Sequence, residues 1–306
     1  MPEHRDDSES RQNLSLYYES DNESRRTDII AANLRETAER LGRLERLRLL
    51  EGYELLSTLS GKMGQLGSPQ NVIAAASMLF SSPELDGLFS LSDKVAICRR
   101  LVDMMRDSGL DPLELLFQQE SEEPLRKVGY VDNPVTAAAG EILAPGCETV
   151  IYHSFTEVCE DTAAGDCDAC ILPIENTADG KLLNFYSLID RFDLKICMHC
   201  DIYSDNDNHR TRYALLRRGI YPPDDSAELF LELGISGHPP EQLLSAAGLC
   251  SLNVHRVDSL PLHYSESDFT FTPVFKGQMC DILVFVVFLA FNHIQYSITG
   301  LSSQRE

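Results

Sequence analysis

Basic residues are scarce in this chain. Its 306 residues include 26 Lys and Arg against 48 Asp and Glu, a formal charge of −22, which argues against nucleic acid or an anionic membrane as a partner held by bulk electrostatics. An anionic ligand would need a locally basic pocket. Long hydrophobic runs are missing as well. The most apolar stretch, Ile282 to Phe291, is ten residues long, well short of the ~20 that span a bilayer, and reads as a buried helix. The opening residues, Met1-Pro2-Glu3-His4-Arg5-Asp6-Asp7, lack the apolar segment of a signal peptide, so export is not expected. The nine cysteines then read as reduced thiols of a cytoplasmic protein and not as a disulfide framework. What is present is a globular composition, 43% apolar, in a chain long enough for two or three domains.

Four regions follow from the patterning. Residues 1–26 are rich in Ser, Asp, Glu, Arg and Asn, the composition of a disordered tail. Residues 27–122 are helical. Ile30, Leu34, Ala38, Leu41 and Leu44 recur at three- and four-residue spacing, and Ser68-Pro69 and Asp111-Pro112 have the cap-then-proline order of helix starts. Between them Val95, Cys98, Leu101, Val102 and Met105 form a second stripe that closes at Ser108-Gly109. Residues 126–219 alternate strand and helix, with a capping box expected at Ser154-Phe155-Thr156-Glu157, the grammar of an α/β layer. Residues 226–303 read βαββαβ, the ferredoxin-like order. The helix of this last region that holds Leu283, Phe285, Val286, Val287, Phe288 and Leu289 is apolar all round. It is covered either by its own sheet and a second subunit, or wholly within one chain.

Cys167-x-x-Cys170 and Cys197-x-x-Cys200 have the spacing of a zinc site, with His199 as a spare ligand. Their placement in strands opposes it, because residues three apart in a strand point to opposite faces. We therefore expect core cysteines and no metal. The chemistry is sought instead in Cys170-Ile171-Leu172-Pro173-Ile174-Glu175-Asn176-Thr177, an apolar strand that stops at Pro173 and sets three polar side chains at its carboxyl end, where open α/β sheets bind ligands. Asn at a strand end is equally ordinary turn chemistry.

This stretch resembles the Pro-Ile-Glu-Asn-Ser/Thr signature of prephenate dehydratases. Tyr130 to Ala139 resembles the first strand and turn of that family, and Thr211-Arg212-Tyr213 is similar to its Thr-Arg-Phe motif. Residues 228–303 resemble the ACT regulatory domain that often follows, and in all the likeness covers about the last three fifths of the chain. The resemblance implies a periplasmic-binding-protein-like α/β domain that converts prephenate to phenylpyruvate without a cofactor. Thr211 would be the catalytic hydrogen-bond donor, and Glu175, Asn176, Thr177, Arg212 and Thr136 the substrate-binding residues. It also implies a small aromatic carboxylate or amino acid as ligand, with Gly237, Leu243, Asp258 and Ser259 in the places of the effector site, and a homodimer formed through the ACT-like domain.

The chain departs from the family in three places. Only Ile202 to Arg210 lies where the family inserts its second lobe, so a single lobe is expected, with its cleft open to water. The first turn is Asp132-Asn133-Pro134-Val135-Thr136, poor in hydroxyls and carrying a carboxylate that would repel a dicarboxylate. In the effector motif Leu260 stands where the family has arginine. We therefore read the chain as a degenerate, ligand-sensing or regulatory relative. Alternatives left open are an active dehydratase and a dimeric scaffold without a ligand. Chorismate mutase activity in the helical region would need converging cations, but Arg35, Arg40, Arg43, Arg46 and Arg48 each lie near carboxylates and read as a solvated face.

Overall fold

In the computed structural model the described residues are 7–85, 87–117, 125–203, 209–221, 228–261 and 269–305. The expected elements at 118–122 and the connection 204–208 lie outside them. The chain divides into two compact units, Met1–Glu54 and Leu55–Glu306. The first unit is the greater part of one helix, α1 (Asp7–Ser60), of 54 residues. Its backbone is already helical from Asp7, where the composition led us to expect a disordered tail over 1–26. The run from Asp7 to Leu41 contains no Gly or Pro, and its Glu, Arg, Gln and Leu residues are helix formers, so low hydrophobicity does not preclude the helix. Arg35, Arg40, Arg43 and Arg46 are exposed, as expected of a solvated face.

The second unit begins with the end of α1 and continues through α2 (Met63–Leu66), α3 (Pro69–Phe80) and α4 (Leu91–Asp107), then a 3-10 turn at Pro112–Leu115. Ser68 caps α3 by accepting from the Asn71 amide, and Pro69 takes the first helical position, where its missing N–H costs nothing. A full capping box forms at Ser90 of α4. Its Oγ accepts from the Asp93 amide, and Asp93 Oδ2 accepts from the Ser90 amide at 2.9 Å. Asp93 is buried, so the cap is shielded from water, and Ser90→Ala should lower stability by about 1–2 kcal/mol in chemical denaturation.

The α/β half is β1 (Lys127–Val131), α5 (Pro134–Leu143), β2 (Glu148–Tyr152), α6 (Phe155–Ala164), β3 (Ala169–Asn176), β4 (Gly180–Lys181), α7 (Leu183–Arg191), β5 (Lys195–Tyr203) and β6 (Arg210–Arg217). The expected capping box at Ser154 is half formed: Ser154 accepts from the Glu157 amide. The C-terminal half is β7 (Leu229–Ser236), α8 (Pro240–Leu249), β8 (Asn253–Pro261), β9 (Phe269–Gly277), α9 (Met279–Phe291) and β10 (Tyr296–Arg305). Its strands lie in the order β10-β7-β9-β8, the ferredoxin-like arrangement.

The sequence gives no hint that the two halves share one sheet. β10 pairs parallel with β5, so nine strands run β2-β1-β3-β6-β5-β10-β7-β9-β8 without a break, and β4 pairs beside β3. Strand alternation divides this sheet into two faces. One face of the α/β half packs Ala169, Ile171, Tyr213 and Leu215 under Ala139 and Leu143 of α5. The other packs Cys170, Leu172, Ile174, Ala214 and Leu216 against Val158 of α6 and Ile189 of α7.

In the C-terminal half, Leu231, Leu233, Ile235 and Phe275 are buried on the face that carries α9, where Phe275 and Phe285 meet edge to face at 5.0 Å. The outer surface of α9 lies against α3 and α4. Ser77 of α3 donates to the Phe291 carbonyl at 2.6 Å, and Phe80 packs on Phe291. Of the two covers considered for this all-apolar helix, the structure has the one within the chain. None of the described helices is long and apolar enough to cross a membrane.

Candidate functional site

The strand bearing the signature does not stop at Pro173. β3 continues to Asn176 because the register against β6 shifts between Pro173, opposite Tyr213, and Glu175, opposite Arg212. The extra residue absorbs a proline that has no ladder donor. The shift also decides where the signature points. Glu175 joins Ile174 and Arg212 around a small cavity on the α7 side of the sheet, while Asn176 falls opposite Thr211.

On the α7 side Glu175 is held at both oxygens. Arg210 Nη2 donates to Oε1 and Arg256 Nη1, from the C-terminal half, donates to Oε2, each at 2.5 Å. Arg212 places its fork on Asp201, Nε to Oδ1 at 2.8 Å and Nη2 to Oδ2 at 3.0 Å. Burial pushes the Asp201 carboxyl up, but the Arg212 fork, aided by Arg210, outweighs it and holds the carboxyl below its usual range. The Lys181 ammonium sits 2.8 Å from Glu232 and 3.9 Å from Asp258, over the Tyr186 ring at 3.7 Å, and the Tyr186 hydroxyl donates to Glu232. Arg256 Nε lies 2.8 Å from Asp258. Four cations, Lys181, Arg210, Arg212 and Arg256, thus meet four anions, Glu175, Asp201, Glu232 and Asp258, across the seam between the two halves.

His199 adjoins this network. Its Nδ1 is 3.1 Å from Ser302 Oγ, and its ring meets Phe230 edge to face at 4.8 Å. The imidazole is buried, its Nε2 has no hydrogen-bond partner among the described residues, and burial followed by the Arg212 charge lowers its pKa to about 3. The cavity enclosed by Glu175, Tyr186, His199, Arg212, His255 and Arg256 has a volume of about 30 Å³. That is room for a water molecule or two, far below the ~300 Å³ at the lower end of small-molecule pockets.

The other predicted residues lie elsewhere. Asn176 is used by its own turn: Oδ1 accepts from the Ala178 and Asp179 amides and Nδ2 donates to Asp179. Thr177 bonds the backbone of Arg210. Thr136 is buried beside the Tyr213 phenol. Thr211 is half-buried, and by alternation it points, like Tyr213, to the α5 side, away from Arg212. In the C-terminal half Gly237 takes a left-handed φ of 74° in the turn before α8, Leu243 is buried inside α8, Asp258 is paired as above, and Ser259 is exposed. These four are not brought together.

Cys170 and Cys200 belong to cores on opposite faces of the sheet, and among the described residues no group of three or more His, Cys, Asp or Glu could hold a metal. A second hollow, of about 820 Å³, opens between α7 and the strands β7 and β10, lined in part by Lys181, Tyr186, Asp190, Ser236, Thr272 and Ser297.

Sequence reading missed Arg210, Arg256, Lys181 and Glu232 as members of one cluster. Only strand parity could have paired Asp201 with Arg212, and nothing local marks Arg256, 81 residues from Glu175.

The prephenate dehydratase family model matches residues 135–204, from α5 through β5 and including Glu175, Asn176 and Thr177, so this stretch is related to that family. Thr211 and Arg212 lie beyond it. No curated protein matches the chain significantly. Solved structures with similarity include a prephenate dehydratase of Streptococcus mutans, 16% identical over 59% of this chain and 100% of that one, TM-score 0.49. A prephenate dehydratase of Arthrobacter aurescens in complex with L-Phe is 14% identical over 58% and 90%, TM-score 0.48. A protein described as a novel type of quorum-quenching acylase is 19% identical over 58% and 95%, TM-score 0.48.

Proposed function

We propose that this protein is a non-catalytic relative of prephenate dehydratase that senses a small aromatic carboxylate or amino acid of aromatic amino-acid metabolism in the cytoplasm. The observation that carries the reading is the fate of the signature. Glu175 is clamped between Arg210 and Arg256, Arg212 is forked onto Asp201, and Asn176 is used by its own turn. The space beside Glu175 and Arg212 is about 30 Å³. Substrate-facing groups have become braces between two halves of one sheet. A dehydratase must hold a dicarboxylate and place a donor at its leaving hydroxyl in a dry cleft. Here β5 and β6 are antiparallel neighbours joined across residues 204–209, a connection too short for a second lobe over Thr211.

The ligand-sensing part of the proposal is supported by the hollow beneath α7, whose volume falls in the range of small-molecule sites and has room for an aromatic amino acid. The ACT likeness of the C-terminal half enters as the same kind of proposal, resting on its ferredoxin-like strand order. Because α3 and α4 cover α9, a dimer formed through this half would not use the outer surface of that helix.

The test is phenylpyruvate formation from prephenate by the full-length protein, with Thr211→Ala beside it, followed by calorimetric titration with L-phenylalanine and phenylpyruvate. We expect no turnover above that of the variant, and binding of at least one of the two compounds. Turnover that vanishes in the variant would establish an active dehydratase instead; absence of both turnover and binding would favour a scaffold.

A further inference from the structure

Among the described residues, α1 carries an exposed apolar face. On α1, Ile30, Leu34, Leu41 and Leu44 are 52%, 66%, 54% and 66% exposed. With Thr37 they fall at spacings of four, three, four and three residues, the seam of a coiled coil. Thr37 does not interrupt it, because its hydroxyl donates to the Asn33 carbonyl at 2.8 Å, which leaves its methyl for packing. We infer that α1 pairs through this seam with α1 of a second copy of the chain, side by side and parallel.

Two observations select that occupant. The first is charge. With Leu34 and Leu41 at the first core position of each heptad, Arg40 and Glu45 fall at the flanking positions that meet across a parallel pair. Each Arg40 would face Glu45 of the other copy, twice in the dimer, and both side chains are exposed and available for it. Within one chain Arg40 makes an exposed i,i+4 contact with Glu36, at 2.8 Å. The second is area. Leu47 falls at a position that flanks the seam and is also more than half exposed. At roughly 60–100 Å² apiece the five apolar side chains would bury about 600–1,000 Å² in a pair, the size of a weak or transient interface. The next core position is Arg48, where like charges would meet, so the seam ends there and two heptads support a weak, concentration-dependent dimer.

The experiment is sedimentation equilibrium of the full-length protein between about 1 and 100 µM, with three variants. Wild type is expected to shift from monomer toward dimer across this range, and Leu34→Asp/Leu41→Asp to stay monomeric. Arg40→Glu should weaken the dimer about 3- to 30-fold by losing two exposed ion pairs, and Arg40→Glu/Glu45→Arg should restore it. Restoration by the double charge exchange cannot come from misfolding. A wild-type protein that is monomeric at 100 µM would overturn the inference, as would a dimer that persists in Leu34→Asp/Leu41→Asp or an Arg40→Glu defect that Glu45→Arg does not repair. None of these outcomes depends on whether the α/β half binds a ligand.

Discussion

Asp201→Ala should destabilise the second unit by about 3–5 kcal/mol, a third or more of the stability of an ordinary domain. The reason is the charge it strands. The Arg212 and Asp201 side chains are 10% and 8% exposed, and Arg212 gives both arms of its fork to this one carboxylate. Burial alone would make the guanidinium easier to deprotonate; Asp201 more than reverses that. Without Asp201 the cation stays charged in the interior, and the nearest anion left, Glu175, is already shared by Arg210 and Arg256. Removing both charges is a different experiment. Asp201→Ala/Arg212→Met should recover most of the loss, because an apolar side chain of similar length needs no partner there. Urea denaturation checks both: the midpoint should fall in the single variant and return in the double one, with an unchanged slope. A single variant that loses less than about 1 kcal/mol would mean that water reaches the pair.

The same cluster shows where reading a sequence stops. Elements were legible wherever the signal is local. The Ser68-Pro69 start, the stripe from Val95 to Met105, the βαβ alternation and the βαββαβ order of the C-terminal half are all present, because periodicity and caps act within a few residues. What was not legible depends on pairing between distant strands. The β5–β10 ladder that fuses the halves joins Ile196 to Gly300 and Cys200 to Arg305, and no pattern in either strand specifies the other. The bulge at Ile174 was hidden for the same reason, and it moved Glu175 from a strand end open to ligand into a four-cation, four-anion junction. The signature was recognisable as chemistry, but its surroundings come from residues as far away as Arg256. The N-terminal stretch differs again: its polar composition points to disorder, whereas an unbroken run of helix formers without Gly or Pro forms the start of α1.

Acid should weaken the fold well before its carboxylates titrate, and His199 is a principal cause. Its folded pKa is about 3, against roughly 6.5 in an unfolded chain. Between these values the unfolded chain binds a proton that the folded one refuses, so the folding equilibrium constant should fall by about tenfold for each pH unit below ~6.5. The stability is fully present above that pH and is lost progressively toward pH 3. The groups facing the ring explain the refusal. Burial comes first, then the Arg212 charge, with Asp201 partly opposing and His255 adding to the effect. A protonated imidazole would need an acceptor at Nε2, which has none among the described residues. Asp201 also loses stability in acid, since its pKa is held down in the fold, but that loss begins only near the ordinary carboxylate range of about 4. The interval from pH 6.5 to 4.5 therefore lies above the carboxylates; burial, then the Arg212 and Arg256 charges, hold the His255 imidazole down as well, and comparison with a His199 variant separates the two histidines. Across that interval, wild type should lose about fiftyfold in the folding constant relative to His199→Gln, which can still reach Ser302 but cannot take up the proton. The comparison concerns slopes, so any destabilisation by the substitution itself cancels. Parallel pH profiles for the two proteins would mean that His199 accepts its proton without unfolding the chain, and that the junction between the halves opens to water more readily than its packing implies.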